Sequence, residues 1–276
     1  MHRIKKFLPV LLVAMLLLAG IAGCTPSTTP TPSTTPDPDD PDPVTLQFIA
    51  ASSLSGVLAE LNQIYVDSHP WVTIKDNITG GSGLLETQIK NGLEGDLFLS
   101  AAMANMDNLS NLNLIVDNSR KTLLNNNLVL ITRKDSNLNI NSFTDLTKLT
   151  ASQVLAIADP ASAPVGVYAM EALAYYNIVD DIKADFSLQS NTTQVLQVVK
   201  SGAADVGIVY MTDYLSEKDS IRMIEQAPAE VNAKIKYPVA ILKSSNNQAA
   251  TQEYIDFLFS EEAAKIFEKY GFVIAQ

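Results

Sequence analysis

Two junctions in the sequence place hydroxyl groups and flexible backbone where a strand pattern gives way to a helix pattern. Ser52 and Ser53 follow an apolar strand candidate at residues 45–50, and a Gly-Gly-Ser-Gly run at residues 80–83 precedes a helix candidate near Leu84. The first N–H groups of a helix lack partners and carry partial positive charge. Two such helix starts that converge would bind an anion without lysine or arginine. Serine caps helices and glycine forms turns regardless of function, so local structure explains each junction alone equally well.

Three further positions could add donors to the same anion. An Ala-Pro-Val-Gly run at residues 163–166 and an Asn-Thr pair at residues 191–192 each precede a helix candidate, so both could present backbone amides. Tyr210 ends an apolar strand candidate, and a phenol donates a hydrogen bond at neutral pH. The competing interpretation of Tyr210 is a core residue whose hydroxyl is satisfied inside the protein.

Groups for catalysis or for direct metal coordination are scarce in this sequence. Cys24 is the single cysteine, and the two histidines are His2 and His69. His69 lies in a Ser-His-Pro sequence typical of a loop, and no histidine-rich or cysteine-rich spacing indicates a metal site. The sequence contains no phosphate-binding loop of the GxxxxGK type. These observations favour a binding protein over an enzyme.

Strand and helix patterns alternate along the chain, and these elements must position the junctions. After the first strand, Leu54, Val57, Leu58, Leu61 and Tyr65 have the spacing of one helix face. Alternation of this kind predicts an α/β fold with parallel sheets covered by helices. Further strands are predicted at residues 72–75, 96–100, 154–158 and 206–210, and further helices at residues 84–91, 168–176 and 193–201.

Two more apolar runs, at residues 128–132 and 239–242, flank a middle section that has its own strands and helices. We interpret them as strands at the crossings between two lobes. The resulting prediction is a first lobe of residues 44–126 and 240–276 and a second lobe of residues 127–239.

The N-terminal residues have the order of a secretory signal peptide. Basic residues precede an apolar run at residues 7–22, which is short for a membrane-spanning helix, and the run leads into Cys24. Cys24 resembles the acylated cysteine of bacterial lipoproteins. We therefore expect residues 1–23 to be removed and Cys24 to anchor the exported protein at the outer face of the cell membrane or in the periplasm. Residues 24–43 are almost wholly Thr, Pro, Ser and Asp, which predicts an extended, unstructured spacer.

The overall charge of the chain is strongly acidic. It has 30 acidic and 19 basic residues, and three of the basic residues lie in the N-terminal leader. This balance argues against nucleic acid as a partner. It does not exclude a small anion, because local dipoles dominate binding at contact distance.

A family resemblance rests on several short stretches in a fixed order. They are Ala-Ser-Ser-Leu at 51–54, Gly-Ser-Gly at 81–83 with Gln-Ile at 88–89, Gly-Asp-Leu-Phe-Leu-Ser-Ala at 95–101, Asp-Pro at 159–160 with Pro-Val-Gly-Val-Tyr-Ala at 164–169, Gly-Ile-Val-Tyr at 207–210, Tyr-Pro-Val-Ala at 237–240, and residues 267–272. Over nearly all of residues 44–276 the chain resembles the molybdate-binding proteins of ABC importers. The resemblance implies a type II periplasmic-binding fold, in which two lobes enclose a cleft and each lobe is a mixed, mostly parallel sheet flanked by helices. It also implies a monomeric solute-binding lipoprotein without a cofactor, which delivers molybdate or tungstate to permease subunits.

The same resemblance implies a ligand site of uncharged donors. Ser53 and Ser82 would donate from the hydroxyl and from the backbone N–H. Val165 and Thr192 would donate from the backbone N–H alone, and Tyr210 would donate from its phenol. The metal would therefore be held as its oxyanion, without direct coordination. The chain departs from the family pattern at Ala102, where Asp is common, and at Thr192, where an apolar residue is common. The implied donors are Ser53, Ser82, Val165, Thr192 and Tyr210.

A pocket that contains only donors suits a fully deprotonated tetrahedral dianion, because such an ion presents only acceptors. Protonated phosphate would turn its own O–H towards a donor. Sulfate has the charge of molybdate, so only cavity size would separate the two, and tungstate is nearly the same size as molybdate. The alternatives that stay open are a binding protein for another small anion such as sulfate and a surface lipoprotein without a transport function.

Overall fold

The strand and helix patterns of the sequence form an alternating series of elements in a computed structural model, which describes residues 41–275. The predictions for the signal peptide, for Cys24 and for most of the spacer lie outside these residues. None of the helices in the described range is both long enough and apolar enough to cross a membrane. The strands are β1 (Val44–Leu46), β2 (Phe48–Ala51), β3 (Val72–Ile74), β4 (Ile78–Gly80), β5 (Leu97–Leu99), β6 (Lys121–Asn125), β7 (Leu128–Arg133), β8 (Val154–Ala158), β9 (Asp185–Gln189), β10 (Val206–Tyr210), β11 (Ile221–Gln226), β12 (Lys236–Ile241) and β13 (Val273–Ile274). The helices are α1 (Ser55–Ser68), α2 (Ser82–Lys90), α3 (Met103–Asn111), α4 (Pro164–Tyr175), α5 (Thr192–Lys200), α6 (Met211–Ser216), α7 (Ala229–Asn232), α8 (Gln248–Leu258) and α9 (Glu261–Lys269).

Lobe 1 is built on a six-stranded sheet with the order β13-β6-β12-β5-β2-β4. β2 pairs in parallel with β4 and β5, whereas β6, β12 and β13 add antiparallel pairs. α1 buries Val57, Leu58, Leu61 and Tyr65, which are residues of the helix face predicted from the sequence. α9 packs on α1, and α8 packs on β12, so the C-terminal helices belong to this lobe.

Lobe 2 is built on a five-stranded sheet with the order β11-β7-β10-β8-β9. β8 pairs in parallel with β9 and β10, whereas β7 is antiparallel to β10 and β11. α4 and α5 pack against β8 and β10, and every residue of β10 is buried. Both sheets are therefore mixed, with parallel pairs where strands alternate with helices and antiparallel pairs where the chain passes between lobes.

The chain crosses between the two sheets twice. The short link between β6 and β7 is one crossing, and the chain returns to the first sheet at β12, which pairs there from Lys236 onward. The predicted lobe boundary between residues 239 and 240 therefore falls inside a strand of the first sheet. The start of this strand was not predicted because proline has no N–H for a sheet hydrogen bond, and Pro238 therefore argues against a strand. In the structure the pairing shifts register between Tyr237 and Pro238.

Three helices near the centre of the molecule begin earlier than the apolar pattern predicted. α2 begins at Ser82, α4 at Pro164 and α5 at Thr192. The spacing of apolar residues along a helix marks the face that packs on its own sheet. The first turn of each of these helices lies beside the other lobe instead, so the spacing does not extend into it. Ser82, Val165 and Thr192 consequently lie in first helical turns, where backbone N–H groups lack helical partners.

Candidate functional site

One cavity between the lobes is lined by all the donors that were named from the sequence. Ser53 and Ser82 come from lobe 1, whereas Val165, Thr192 and Tyr210 come from lobe 2. The open volume is about 10 Å³, close to the space that one water molecule needs. No acidic or basic side chain of residues 41–275 is part of the lining, which consists of Ala51, Ser52, Ser53, Gly80, Gly81, Ser82, Ala101, Ala163, Pro164, Val165, Asn191, Thr192 and Tyr210.

Ser82 is the first residue of α2, and its side chain is held by lobe 1. Ser82 is 1% exposed, and its Oγ accepts a hydrogen bond of 2.9 Å from the N–H of Ala101. Because this bond uses an oxygen lone pair, the hydroxyl proton of Ser82 stays free to be donated into the cavity. Ala101 follows β5 and lines the cavity too. In the sequence, Ala101 was identified only as part of a family motif, and its contact with Ser82 was not predicted.

Ser53 is held in a comparable way by a chain of polar groups. Its Oγ lies 2.9 Å from the hydroxyl of Tyr237, and the Tyr237 oxygen accepts a bond of 3.2 Å from Asn126 Nδ2. Since Asn126 donates to this oxygen, the Tyr237 proton can go to Ser53, which frees the Ser53 proton for the cavity. Burial raises the pKa of Tyr237 above its usual range, so the phenol keeps its proton. Sequence reasoning missed both partners, although Tyr237 lies in one of the motif stretches.

Tyr210 brings a buried hydroxyl that has no partner. The residue is 2% exposed, and its hydroxyl makes no hydrogen bond to any group in the described part of the chain. Burial raises the pKa of Tyr210 well above its usual value, and the nearby phenol of Tyr237 raises it further. Tyr210 is therefore a neutral donor at physiological pH. A buried polar group without a partner is costly, and an acceptor in the cavity would remove that cost.

Thr192 offers the cavity only its backbone N–H. Its side chain donates a hydrogen bond of 2.9 Å to Oδ2 of Asp213, on α6. Asn191 caps α5 by accepting a bond from the N–H of Gln194, which leaves the first N–H groups of the helix unused. Burial raises the pKa of Asp213 to about 7, although the bond from Thr192 acts in the opposite direction. Asp213 gave no functional signal in the sequence.

The two lobes are in contact beside the cavity. The N–H of Leu84 in lobe 1 donates a hydrogen bond of 3.0 Å to the carbonyl of Ser162 in lobe 2. An added Cβ on Gly81 would lie 2.6 Å from the same carbonyl oxygen, and one on Gly83 would lie 2.9 Å from it. Only glycine allows this approach of two backbones, so the Gly-Gly-Ser-Gly run permits the lobes to close.

The N-termini of three helices and the hydroxyl groups of three side chains surround the small cavity. α2, α4 and α5 each direct a first turn towards it, and their partial positive charges add where the three helices converge. The hydroxyls of Ser53, Ser82 and Tyr210 can all donate into it. Such an arrangement stabilises a small anion that presents only acceptors, and it offers no nucleophile paired with a base.

Comparison with known proteins gives matches over most of the chain. The family model for bacterial extracellular solute-binding proteins matches residues 46–273. YvgL of Bacillus subtilis (strain 168), named for an ABC transporter substrate-binding lipoprotein, is 34% identical over 261 residues, which are 95% of each chain. The molybdate-binding protein ModA of Escherichia coli (strain K12) is 34% identical over 196 residues, 70% of this chain and 76% of that one. Among solved structures, a substrate-binding domain from Clostridium difficile, named for a molybdenum ABC transporter, is 34% identical, with a TM-score of 0.66, and the match covers 84% of this chain and 99% of that one.

These matches agree with the arrangement of the two sheets. Two sheets flanked by helices, with a cavity between them, form the two-lobed type II periplasmic-binding fold that the family resemblance implied. The family consists of proteins that bind solutes, so the prediction of a binding protein rather than an enzyme is confirmed. Because the family model covers nearly all of the described residues, the chain belongs to the bacterial extracellular solute-binding proteins.

Proposed function

We propose that this protein captures molybdate or tungstate in the cavity between the lobes and delivers the ion to the permease of an ABC importer. The observation that carries the proposal is that Ser53, Ser82, Val165, Thr192 and Tyr210, from separate stretches of chain, line one cavity without any charged side chain. The names of the E. coli and C. difficile relatives refer to molybdate and molybdenum, which supports this ligand class.

The donor set accounts for the choice of a dianion. Among the proposed hydroxyl donors, Ser82 accepts a bond from Ala101, Ser53 can accept one from Tyr237, and the phenol of Tyr210 is unpaired. These three hydroxyls can therefore donate their protons to a ligand. A ligand that carries its own O–H would leave that donor unsatisfied. The present cavity is smaller than a tetrahedral oxyanion, so the lobes would close around the ligand a little less tightly than they do here.

The anchoring and the assembly of the protein are part of the same proposal. Acylation of Cys24, after removal of residues 1–23, would hold a monomer on the outer face of the membrane, with residues 24–43 as the tether. The name of YvgL, a lipoprotein, supports this arrangement. A thioether-linked diacylglycerol on Cys24, detected by mass spectrometry of the protein extracted from membranes, is the expected result.

A thermal shift screen tests the ligand class. The purified protein is heated with molybdate, tungstate, sulfate, phosphate or an amino acid mixture, since a ligand that binds only the native state raises the unfolding midpoint. We expect a large rise in the unfolding midpoint with molybdate and tungstate and little change with phosphate. A larger rise with sulfate would favour the alternative of a sulfate-binding protein, and no rise with any anion would favour a surface lipoprotein without transport function.

Replacement of either serine by alanine is expected to weaken molybdate binding. Ser53→Ala and Ser82→Ala each remove a charge-assisted hydrogen bond to a buried anionic oxygen, a loss of about 1.5–3 kcal/mol, or roughly 10- to 150-fold in affinity. Isothermal titration calorimetry measures the change. Ser55→Ala is the matched control, because Ser55 is exposed and bonds only to the carbonyl of Ser52. Unchanged affinity in both site variants would contradict the proposed donor set.

Replacement of Tyr210 by phenylalanine is expected to change stability and affinity in opposite directions. Removal of a buried hydroxyl that has no partner should raise the unfolding free energy of the ligand-free protein by about 1 kcal/mol, while molybdate binding weakens about tenfold or more. Urea denaturation and calorimetry give the two quantities. Tyr168→Phe is the control, since the Tyr168 hydroxyl donates to the carbonyl of Lys234 and its loss should lower stability instead. A destabilised Tyr210→Phe variant would show that this hydroxyl has a structural partner.

A further inference from the structure

Asp213 is a buried carboxylate directly behind the cavity wall. The residue is 7% exposed, lies in α6, and accepts the bond from Thr192 Oγ at 2.9 Å. The backbone of Tyr210 also lies within hydrogen-bonding reach of this carboxylate. Asp213 thus connects two of the chain segments that line the cavity, the start of α5 and the end of β10.

Within residues 41–275 no lysine, arginine or histidine forms an ion pair with this carboxylate. Burial raises the pKa of the phenols of Tyr210 and Tyr237, and the Asp213 charge raises both further. Lys200 on α5 pairs with Glu217 at 2.7 Å, and Arg133 on β7 pairs with Asp135 at 3.0 Å. Arg222 and Glu225 on β11 complete the titratable groups on the elements that pack against α6, and no ion pair within residues 41–275 includes Asp213.

We propose that Asp213 is a positioning residue for the anion site and that it takes up a proton when the dianion binds. The inference rests on the proposed function. A dianion beside Thr192 and an ionised Asp213 on the other side of the same residue would repel each other across a water-poor region, where charges interact strongly. Protonation of Asp213 removes the repulsion and leaves the carboxyl oxygen able to accept the bond from Thr192.

The sign of the pH effect follows from linkage. Asp213 in the ligand-free protein has a pKa of about 7, raised by burial, and a bound dianion raises it further. Below this pKa the carboxyl is neutral with and without ligand, so affinity is constant. Above it, binding requires uptake of a proton, and affinity falls by up to about tenfold for each pH unit. Tyr210 and Tyr237 stay protonated over this range because their pKa values are raised above the usual one.

The test is a molybdate titration of the purified protein by calorimetry between pH 6 and pH 9. We expect a constant affinity up to about pH 7 and a fall above it, and in buffers of different ionisation enthalpy the binding heat should reveal uptake of a proton at pH 8. Asp213→Asn should remove both the fall and the proton uptake. Asp219→Asn, which makes the same charge change on an exposed residue after α6, should leave both in place.

A second variant tests the hydrogen bond between Thr192 and Asp213. Thr192→Val removes the hydrogen bond that favours the charged form of Asp213 but keeps the backbone N–H, so the fall in affinity should begin at higher pH than in the wild type. Thr192→Ser keeps this hydroxyl, so the fall in affinity should begin at the same pH as in the wild type. A flat profile with no proton uptake in the wild type, while molybdate still binds, would overturn the inference. Absence of molybdate binding at every pH would instead refute the proposed function.

Discussion

Replacement of Gly81 by valine is expected to lower the affinity for molybdate by about three orders of magnitude while lobe 1 still folds. Lobe 2 supplies three of the proposed donors, Val165, Thr192 and Tyr210. If the lobes cannot close, these bonds do not form, and three bonds of about 1.5 kcal/mol each correspond to a loss of this size.

The geometry at Gly81 explains why closure should be so sensitive. An added Cβ would lie 2.6 Å from the carbonyl oxygen of Ser162 and 2.8 Å from that of Ser190, and both atoms belong to the lobe 2 backbone, which cannot turn aside as a side chain would. The backbone of Gly81 itself has φ −65° and ψ 133°, a conformation open to any residue. The substitution should therefore act on the contact between lobes and leave the folding of lobe 1 intact.

Calorimetry and urea denaturation separate these two effects. Gly81→Ala should give a smaller loss of affinity than Gly81→Val, because the clash grows with the size of the side chain. Thr79→Val is the control, since it introduces the same side chain on an exposed residue of β4 with almost no change in volume. Affinity of Gly81→Val within tenfold of the wild type would mean that the ligand is bound without this closure.

Helices and strands could be predicted well from the sequence where the spacing of apolar residues within one segment is sufficient to identify them. Strands β8 and β10 coincide with the predicted apolar runs, and α1 buries the predicted face, because burial against one sheet imposes a simple period on the sequence. Strand β7 was also predicted, whereas the strands that were not predicted are β4, β6, β9, β11 and β13. The start of β12 was missed because this strand begins with Lys236 and is interrupted by Pro238.

The residues that line the candidate site could be named from the sequence, but the groups that support them could not. Ser53 and Ser82 stand at strand-to-helix junctions, where residue type and position both indicate free donors. Tyr237, which accepts a bond from Asn126, contacts Ser53, and Asp213 accepts a bond from the Thr192 hydroxyl. The partners of each bond lie far apart in sequence. Polar pairs that are distant in sequence leave no local pattern, so the contact between Ser53 and Tyr237 is visible only in the folded protein.

Replacement of Gly166 by alanine is expected to destabilise lobe 2 by about 3 kcal/mol, the upper end of the usual cost of overpacking. A Cβ on this residue would lie 2.1 Å from the carbonyl oxygen of Ala158, at the end of β8, and 2.8 Å from the backbone nitrogen of Pro160. Relief of such contacts requires α4 to move away from the sheet. Val165, the residue before Gly166, would move with it.

Urea denaturation of the ligand-free protein measures the destabilisation from Gly166→Ala. Val167→Ala, on the exposed side of the same helix at 41% exposure, should change stability by no more than about 0.5 kcal/mol. Because the clash displaces the first turn of α4, the folded fraction of Gly166→Ala should also bind molybdate more weakly. A variant that is destabilised as expected but binds with wild-type affinity would remove the Val165 N–H from the donor set, whereas loss of both properties would tie the position of this donor to the close contact between α4 and β8.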